Sequence, residues 1–141
     1  MGMGAATAEL FSKANAKVIV ADINKELGIK QVEKIKEEGG DALYVYCDVA
    51  NEKDVEEMVK KTVEKYGRLD AAINNAARTP DDKPIAELDE NDFDKLIAVD
   101  LKGVALCMKH EIRQMLAQGD GGSIINISSI SGIRAQPGNP A

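Results

Sequence analysis

Histidine is almost absent from this chain. His110 is the only one, which excludes a metal site built on several histidines. No apolar run approaches the roughly 20 residues that a membrane-spanning helix needs. The N-terminus, Met-Gly-Met-Gly-Ala-Ala, lacks the basic-then-apolar pattern of a secretory leader. Positive charge is not in excess either. The net charge is −6 and the acidic and basic residues are interspersed, which argues against an extended nucleic-acid footprint. Cysteine is limited to Cys47 and Cys107, two isolated thiols in apolar contexts. They read as reduced, buried cysteines of a cytoplasmic protein rather than as a disulfide or metal pair. Repeats, linkers and low-complexity segments are missing as well. His110 itself, on a helix among charged neighbours, is expected to be solvated.

What is present is enough for one soluble globular domain spanning residues 1–141, with 44% hydrophobic and 30% charged residues. A chain of this size buries roughly 70% of its unfolded surface. Helical and extended patterns alternate throughout. Helices are expected over 4–14, 25–38, 52–66 and 89–118. Asn24 and Asn51 are suited to cap the second and third, and Asn15, Gly39-Gly40 and Gly67 to end the first three. In the third helix, Val55, Met58, Val59, Thr62, Val63 and Tyr66 follow the i, i+3, i+4, i+7 rule. The apolar residues of 89–118 occupy more than one face, so that helix is expected to pack on the sheet and on something else. Extended runs are 17–21, 42–47, 69–73 and 123–128. Strands separated by helices of this length argue a doubly wound parallel α/β sheet.

The stretch 69–77, Leu-Asp-Ala-Ala-Ile-Asn-Asn-Ala-Ala, organises the rest. It reads as a short buried strand running out into Asn74, Asn75 and two small residues, and open parallel sheets bind ligands at the carboxyl ends of their strands. An Asn-rich turn with no ligand is the other reading. Gly2-Met3-Gly4 opens the first helix, where glycines let a pyrophosphate approach the backbone N–H groups. The same glycines also suit a flexible terminus. Asp22 ends the next strand 18 residues after Gly4, a place and spacing at which an acid can accept from the adenosine ribose and repel a 2′-phosphate. It also suits a capping role. Asp48-Val49, after the extended run 42–47, can reach an adenine amino group or start a turn. Ser128 and Ser129 can polarise a substrate oxygen or form a turn. Lys102 beside Asp100 reads as a solvated charge pair.

Taken in order, these residues resemble the short-chain dehydrogenases/reductases along essentially the whole chain. Gly2-Met-Gly-Ala-Ala-Thr-Ala8 is similar to the back half of that family's glycine-rich turn. Asp22, followed by Ile23, matches its NAD-selecting acid, and Asp48-Val49 its adenine contact. Asn74-Asn75-Ala76 matches its Asn-Asn-Ala-Gly signature, with Ala77 in place of the glycine. Val99-Asp-Leu-Lys-Gly103 matches its long-helix segment, and Ile125-Asn-Ile-Ser-Ser129 the strand carrying its catalytic serine. The resemblance implies a Rossmann-like fold and hydride transfer between NAD and a small carbonyl or alcohol substrate. It implies that Ser129 holds the substrate oxygen and that the 89–118 helix makes a homo-oligomer contact. A flavodoxin-like or receiver-like domain is the competing α/β reading, but it does not account for Asp22 together with Asn74-Asn75 and Ser129.

The departures are equally specific. The family's acid/base tyrosine and its lysine partner are expected beyond Ala141, and none of Tyr44, Tyr46 and Tyr66 begins a Tyr-x-x-x-Lys sequence. The family's first strand is expected before Met1. The fold is therefore expected to be incomplete, lacking the first strand and the C-terminal strands and helices, and inactive alone. The non-catalytic alternative is a dinucleotide-binding or oligomerisation module that pairs with itself or a full-length relative. Without the central strand, the strand at Val18 and that at Ile73 either keep unpaired inner edges or close on one another. Asp100 stands where the family has a proton-relay Asn and, when ionised, accepts but cannot donate. The Ala77 methyl is expected to crowd backbone meant to lie close to the cofactor.

Overall fold

The computed structural model describes residues 2–79 and 83–134. Residues 80–82 and 135–141 lie outside the described residues. The elements alternate as the patterning requires: α1 Met3–Lys13, β1 Val18–Asp22, α2 Lys25–Glu37, β2 Ala42–Tyr46, α3 Glu52–Tyr66, β3 Ala71–Asn74, α4 Glu90–Ile97, α5 Val104–Gln118 and β4 Ser123–Asn126. The expected caps are made. Asn24 and Asn51 accept hydrogen bonds from the N–H groups of Leu27 and Lys53, and Asp89 caps α4 through Asp92 N. Asn15 adopts the left-handed conformation (φ 65°) after α1, as an amide side chain tolerates.

The strands form two parallel pairs. Val18 to Asp22 run in register with Ala42 to Tyr46, and Ala71 to Asn74 with Ser123 to Asn126. Among the described residues the pairs share no ladder, so β1 and β3 each keep one unpaired edge. Of the two outcomes left open by the sequence, the unpaired edges are the one realised. The core divides likewise. Val32, Ile35 and Ala42 pack with Ala8, Val18, Val20 and Tyr44 behind the first pair. A second cluster, Cys47, Val55 and Cys107, joins α3 to α5.

Three expectations need correction. The strand at 69 starts only at Ala71, because the Gln118 side chain takes both polar groups of the Leu69 backbone: Leu69 N donates to Oε1 (3.1 Å) and Nε2 donates to Leu69 O (2.8 Å). The helix expected over 89–118 is not uniform. Between α4 and α5, Ala98–Gly103 widens into a π-helical turn, a form often found at functional sites. It brings Gly103 so close to Val49 that an added Cβ would lie 2.8 Å from Val49 Cγ2. His110 is buried rather than solvated, its ring facing Glu52 on α3 (Nε2 to Oε1, 3.3 Å).

Gly28, buried inside α2, makes a sharp test of packing against propensity. An alanine in a helix interior normally stabilises by about 1 kcal/mol over glycine. Here the new Cβ would lie 2.3 and 2.4 Å from Cδ2 and Cε2 of Tyr44, whose ring is tethered by its hydroxyl to Asp22 O (2.9 Å). Gly28→Ala is therefore expected to destabilise, by about 1–3 kcal/mol. Urea unfolding measures the sign; a more stable variant would mean that the ring moves aside freely.

Candidate functional site

Apart from Asp100 and Lys102, which lie in the π-helical turn, the candidate residues lie on segments that leave the strands at their carboxyl ends or at the start of α1. Asp22 closes β1 and stands beside Tyr46 in register. Its carboxylate is exposed, and Oδ1 accepts from Asn24 N at 2.7 Å, so the capping role is real but engages one oxygen. Its carbonyl is anchored by Tyr44 Oη (2.9 Å) and Cys47 N (3.4 Å). Ile23, next in the chain, is 64% exposed. Burial and the neighbouring Asp22 carboxylate raise the Tyr44 phenol above its usual range.

The start of α1 is bare. Gly2 is the N-cap, no side chain caps the helix, and its first turn has no acid. The first-turn N–H groups are thus open to an anion such as a pyrophosphate. Around the Cβ position of Gly2 there is open space, and Met3 is exposed. Gly4 sits against the loop after β3, where a Cβ would meet Asn75 Nδ2 at 2.8 Å. The structure thus brings Gly4 and Asn75 together from distant parts of the chain. Ala76 and Ala77 are exposed beyond Asn75.

Asp48 performs the turn role, its Oδ1 accepting from Ala50 N (2.9 Å), and Val49 lies against Gly103 at the start of α5. Lys102 is not paired with Asp100. Residues two apart on a helix point apart, and its Nζ lies 3.4 Å from Ala50 O. Asp100 Oδ1 instead accepts from Arg78 N (2.7 Å), tying the π-helical turn to the loop after β3. No motif points to Arg78. Ser128 and Ser129 are exposed just past β4, with Ser129 O accepting from Gly132 N (3.1 Å) in a closing turn.

Beneath these ends lies a polar cluster that motif reading missed. Asn74 Nδ2 donates to Glu111 Oε2 (3.1 Å) and to Asn126 Oδ1 (2.9 Å). Glu111 is 3% exposed, and burial raises its carboxyl above the usual range against the opposing pull of the Asn74 N–H. Its periodicity was visible: Gly103, Cys107, Glu111 and Met115 recur every four residues and are all buried. On the other side, Lys109 and His110 hold the Glu52 carboxylate below its usual range.

Burial and Asp41 push Tyr66 up to about 12, and burial pushes the free thiols of Cys47 and Cys107 up to about 12. Among the described residues, no cluster of three or more potential metal ligands occurs, and no helix is long and apolar enough to cross a membrane.

Comparison with known proteins gives this arrangement its context. The family model described as Enoyl-(Acyl carrier protein) reductase matches residues 1–141. A short chain dehydrogenase/reductase, astE, of Aspergillus oryzae is 46% identical over 136 residues, covering 96% of this chain and 52% of that protein. A 2,5-dichloro-2,5-cyclohexadiene-1,4-diol dehydrogenase of Sphingobium indicum is 40% identical, covering 96% and 53%. Among solved structures, a short chain dehydrogenase from Mycobacterium smegmatis superposes with a TM-score of 0.94 at 28% identity, covering 99% of this chain and 58% of that one. A metagenomic short-chain oxidoreductase in complex with NADP superposes at 0.91, also at 28% identity, covering 99% and 62%. The chain spans about half the length of the curated relatives it matches. Its two parallel pairs are an incomplete Rossmann-like α/β fold. By the match along its whole length and by its fold, the chain belongs to the short-chain dehydrogenase/reductase family.

Proposed function

We propose that this chain supplies the dinucleotide-binding part of an NAD-dependent oxidoreductase that moves hydride between the nicotinamide and a small carbonyl or alcohol, and that it does not turn over alone. The observation that carries the reading is the exposed Asp22 carboxylate at the end of β1, anchored through its own carbonyl and with one oxygen outside its turn. A carboxylate there accepts from ribose hydroxyls and repels a 2′-phosphate, which favours NAD over NADP. The bare α1 start at Gly2, Met3 and Gly4 receives the pyrophosphate. Ile23, Asp48 and Val49 border the adenine, and Asn75, Ala76 and Ala77 line the path toward the nicotinamide. NAD, when bound, supplies the hydride acceptor. Ser129 holds the substrate oxygen. Asp100, already accepting from Arg78 N, orders the neighbouring loop rather than donating a proton. The free, buried thiols suit the reducing cytoplasm.

Titration of the purified chain with NADH, followed by nicotinamide fluorescence, tests this against NADPH. The expected result is saturable binding that favours NADH, with no turnover of either. Equal affinity for both would remove Asp22 from its role, and measurable turnover would end the claim of inactivity.

A second reading, self-association through α4 and α5, is favoured by one feature. Phe93, Ile97, Leu101, Ile112 and Leu116 leave 37–74% of their surface exposed along these helices. Such a face suits a second copy of the chain.

A further inference from the structure

Among the described residues Glu111 is the one acid in the interior, on a helical stripe otherwise made of Gly103, Cys107 and Met115. A carboxyl group is costly to bury unless it is hydrogen-bonded, so its partner is informative. That partner, Asn74, is the last residue of β3 and faces Asn126, the last of β4. One amide nitrogen of Asn74 donates to both Glu111 and Asn126, which fixes the amide plane, and Asn126 Nδ2 in turn lies 3.1 Å from Met108 Sδ. The next residue, Asn75, is the one against Gly4.

We propose that Glu111 is a positioning residue for the dinucleotide site: by holding the Asn74 amide it sets how the chain leaves β3, and so where Asn75, Ala76 and Ala77 lie. The proposal rests on reading those strand ends as the dinucleotide site. Burial favours the neutral acid, which accepts from Asn74 without placing a charge in the core. The titratable groups nearby are Cys107 and His110 on α5 and Cys47 after β2, with Glu52 of α3 and Lys109 on the far side of His110. Asp100 and Lys102 belong to the preceding π-helical turn. From β3 it meets the uncharged Asn74, which is bonded in turn to the uncharged Asn126 of β4.

The test combines NMR of the chain with NADH titration in two variants. Glu111→Gln keeps an acceptor and no charge, whereas Glu111→Leu keeps comparable bulk and no acceptor. In Glu111→Gln, the Asn74 side-chain amide and the backbone amides of Asn75, Ala76 and Ala77 should stay in place, with NADH affinity within about twofold of the parent chain. In Glu111→Leu the same signals should move, and NADH should bind about tenfold more weakly while unfolding stays cooperative. Should Glu111→Leu not fold, the parent chain carries the test. Raising the pH through the Glu111 titration should shift those signals together, and Glu111→Gln should be silent. A folded Glu111→Leu whose Asn75 to Ala77 signals are unmoved overturns the proposal, as does a pH shift that survives in Glu111→Gln. If the parent chain does not bind NADH, the dinucleotide reading fails, and the NMR signals still decide the positioning role.

Discussion

Asp22→Ser is expected to erase the proposed preference for NADH over NADPH. The serine hydroxyl can still accept from Asn24 N, so the turn that starts α2 keeps its bond, now 2.7 Å long with Asp22 Oδ1. What disappears is the negative charge and the second acceptor. Hydrogen bonds to a charged group contribute about 1.5–3 kcal/mol, so NADH should bind about 10–150-fold more weakly. NADPH should bind equally well or better, because a like charge no longer faces its 2′-phosphate. The two titrations therefore have to move in different directions or by different amounts. A parallel loss for both dinucleotides would mean that the substitution disturbs the fold. No change in either would leave Asp22 with its turn alone. The unfolding midpoint separates these cases: it should stay within about 0.5 kcal/mol, as for most exposed substitutions.

The elements were legible where local physics decides them. Asn24, Asn51, Asn15 and Gly67 each sit where a cap or a left-handed residue was anticipated, because capping depends on neighbours a few residues away. Asp22, Asn75 and Ser129 were legible as strand-end residues for the same reason. What the sequence hid was carried by residues far apart along the chain. Leu69 is kept out of the β3 ladder by Gln118, 49 positions on. The charged neighbours of His110 suggest a solvated ring, yet it is buried and faces Glu52 of α3. The π-helical turn at Ala98–Gly103 has no propensity signal, and its position is tied to tertiary contacts of Gly103 with Val49 and of Asp100 with Arg78. Glu111 was readable in part, since its spacing from Cys107 and Met115 put an acid on an apolar stripe. Its partner Asn74 was not, because that pairing exists only once β3 and β4 align.

Ile35→Ala is expected to be the most damaging single truncation. Ile35 is 1% exposed on the inner face of α2, packed with Val32 and Ala42 and flanked by Ala8, Val18, Val20 and Tyr44. Removing a buried isoleucine side chain to Cβ costs about 2–5 kcal/mol, the larger values arising where neighbours cannot collapse into the space. Collapse is hindered here. Gly40 N is bonded to Ile35 O (2.9 Å), and Tyr44 is tethered to Asp22 O. The cluster is also separate from the one formed by Cys47, Val55 and Cys107, so the loss is not shared across one large core. Against the roughly 5–15 kcal/mol that holds an ordinary domain folded, this is a large fraction. The β1–β2 pair that carries Asp22 should therefore loosen first, and NADH binding should be lost together with cooperative unfolding in urea. Leu116→Ala provides the contrast. That side chain is 74% exposed, so its truncation should change monomer stability by no more than about 0.5 kcal/mol. If α5 does pair with a second copy, the Leu116→Ala effect becomes concentration-dependent while that of Ile35→Ala does not. Comparable losses for both in dilute protein would mean that Ile35 is not the centre of its cluster.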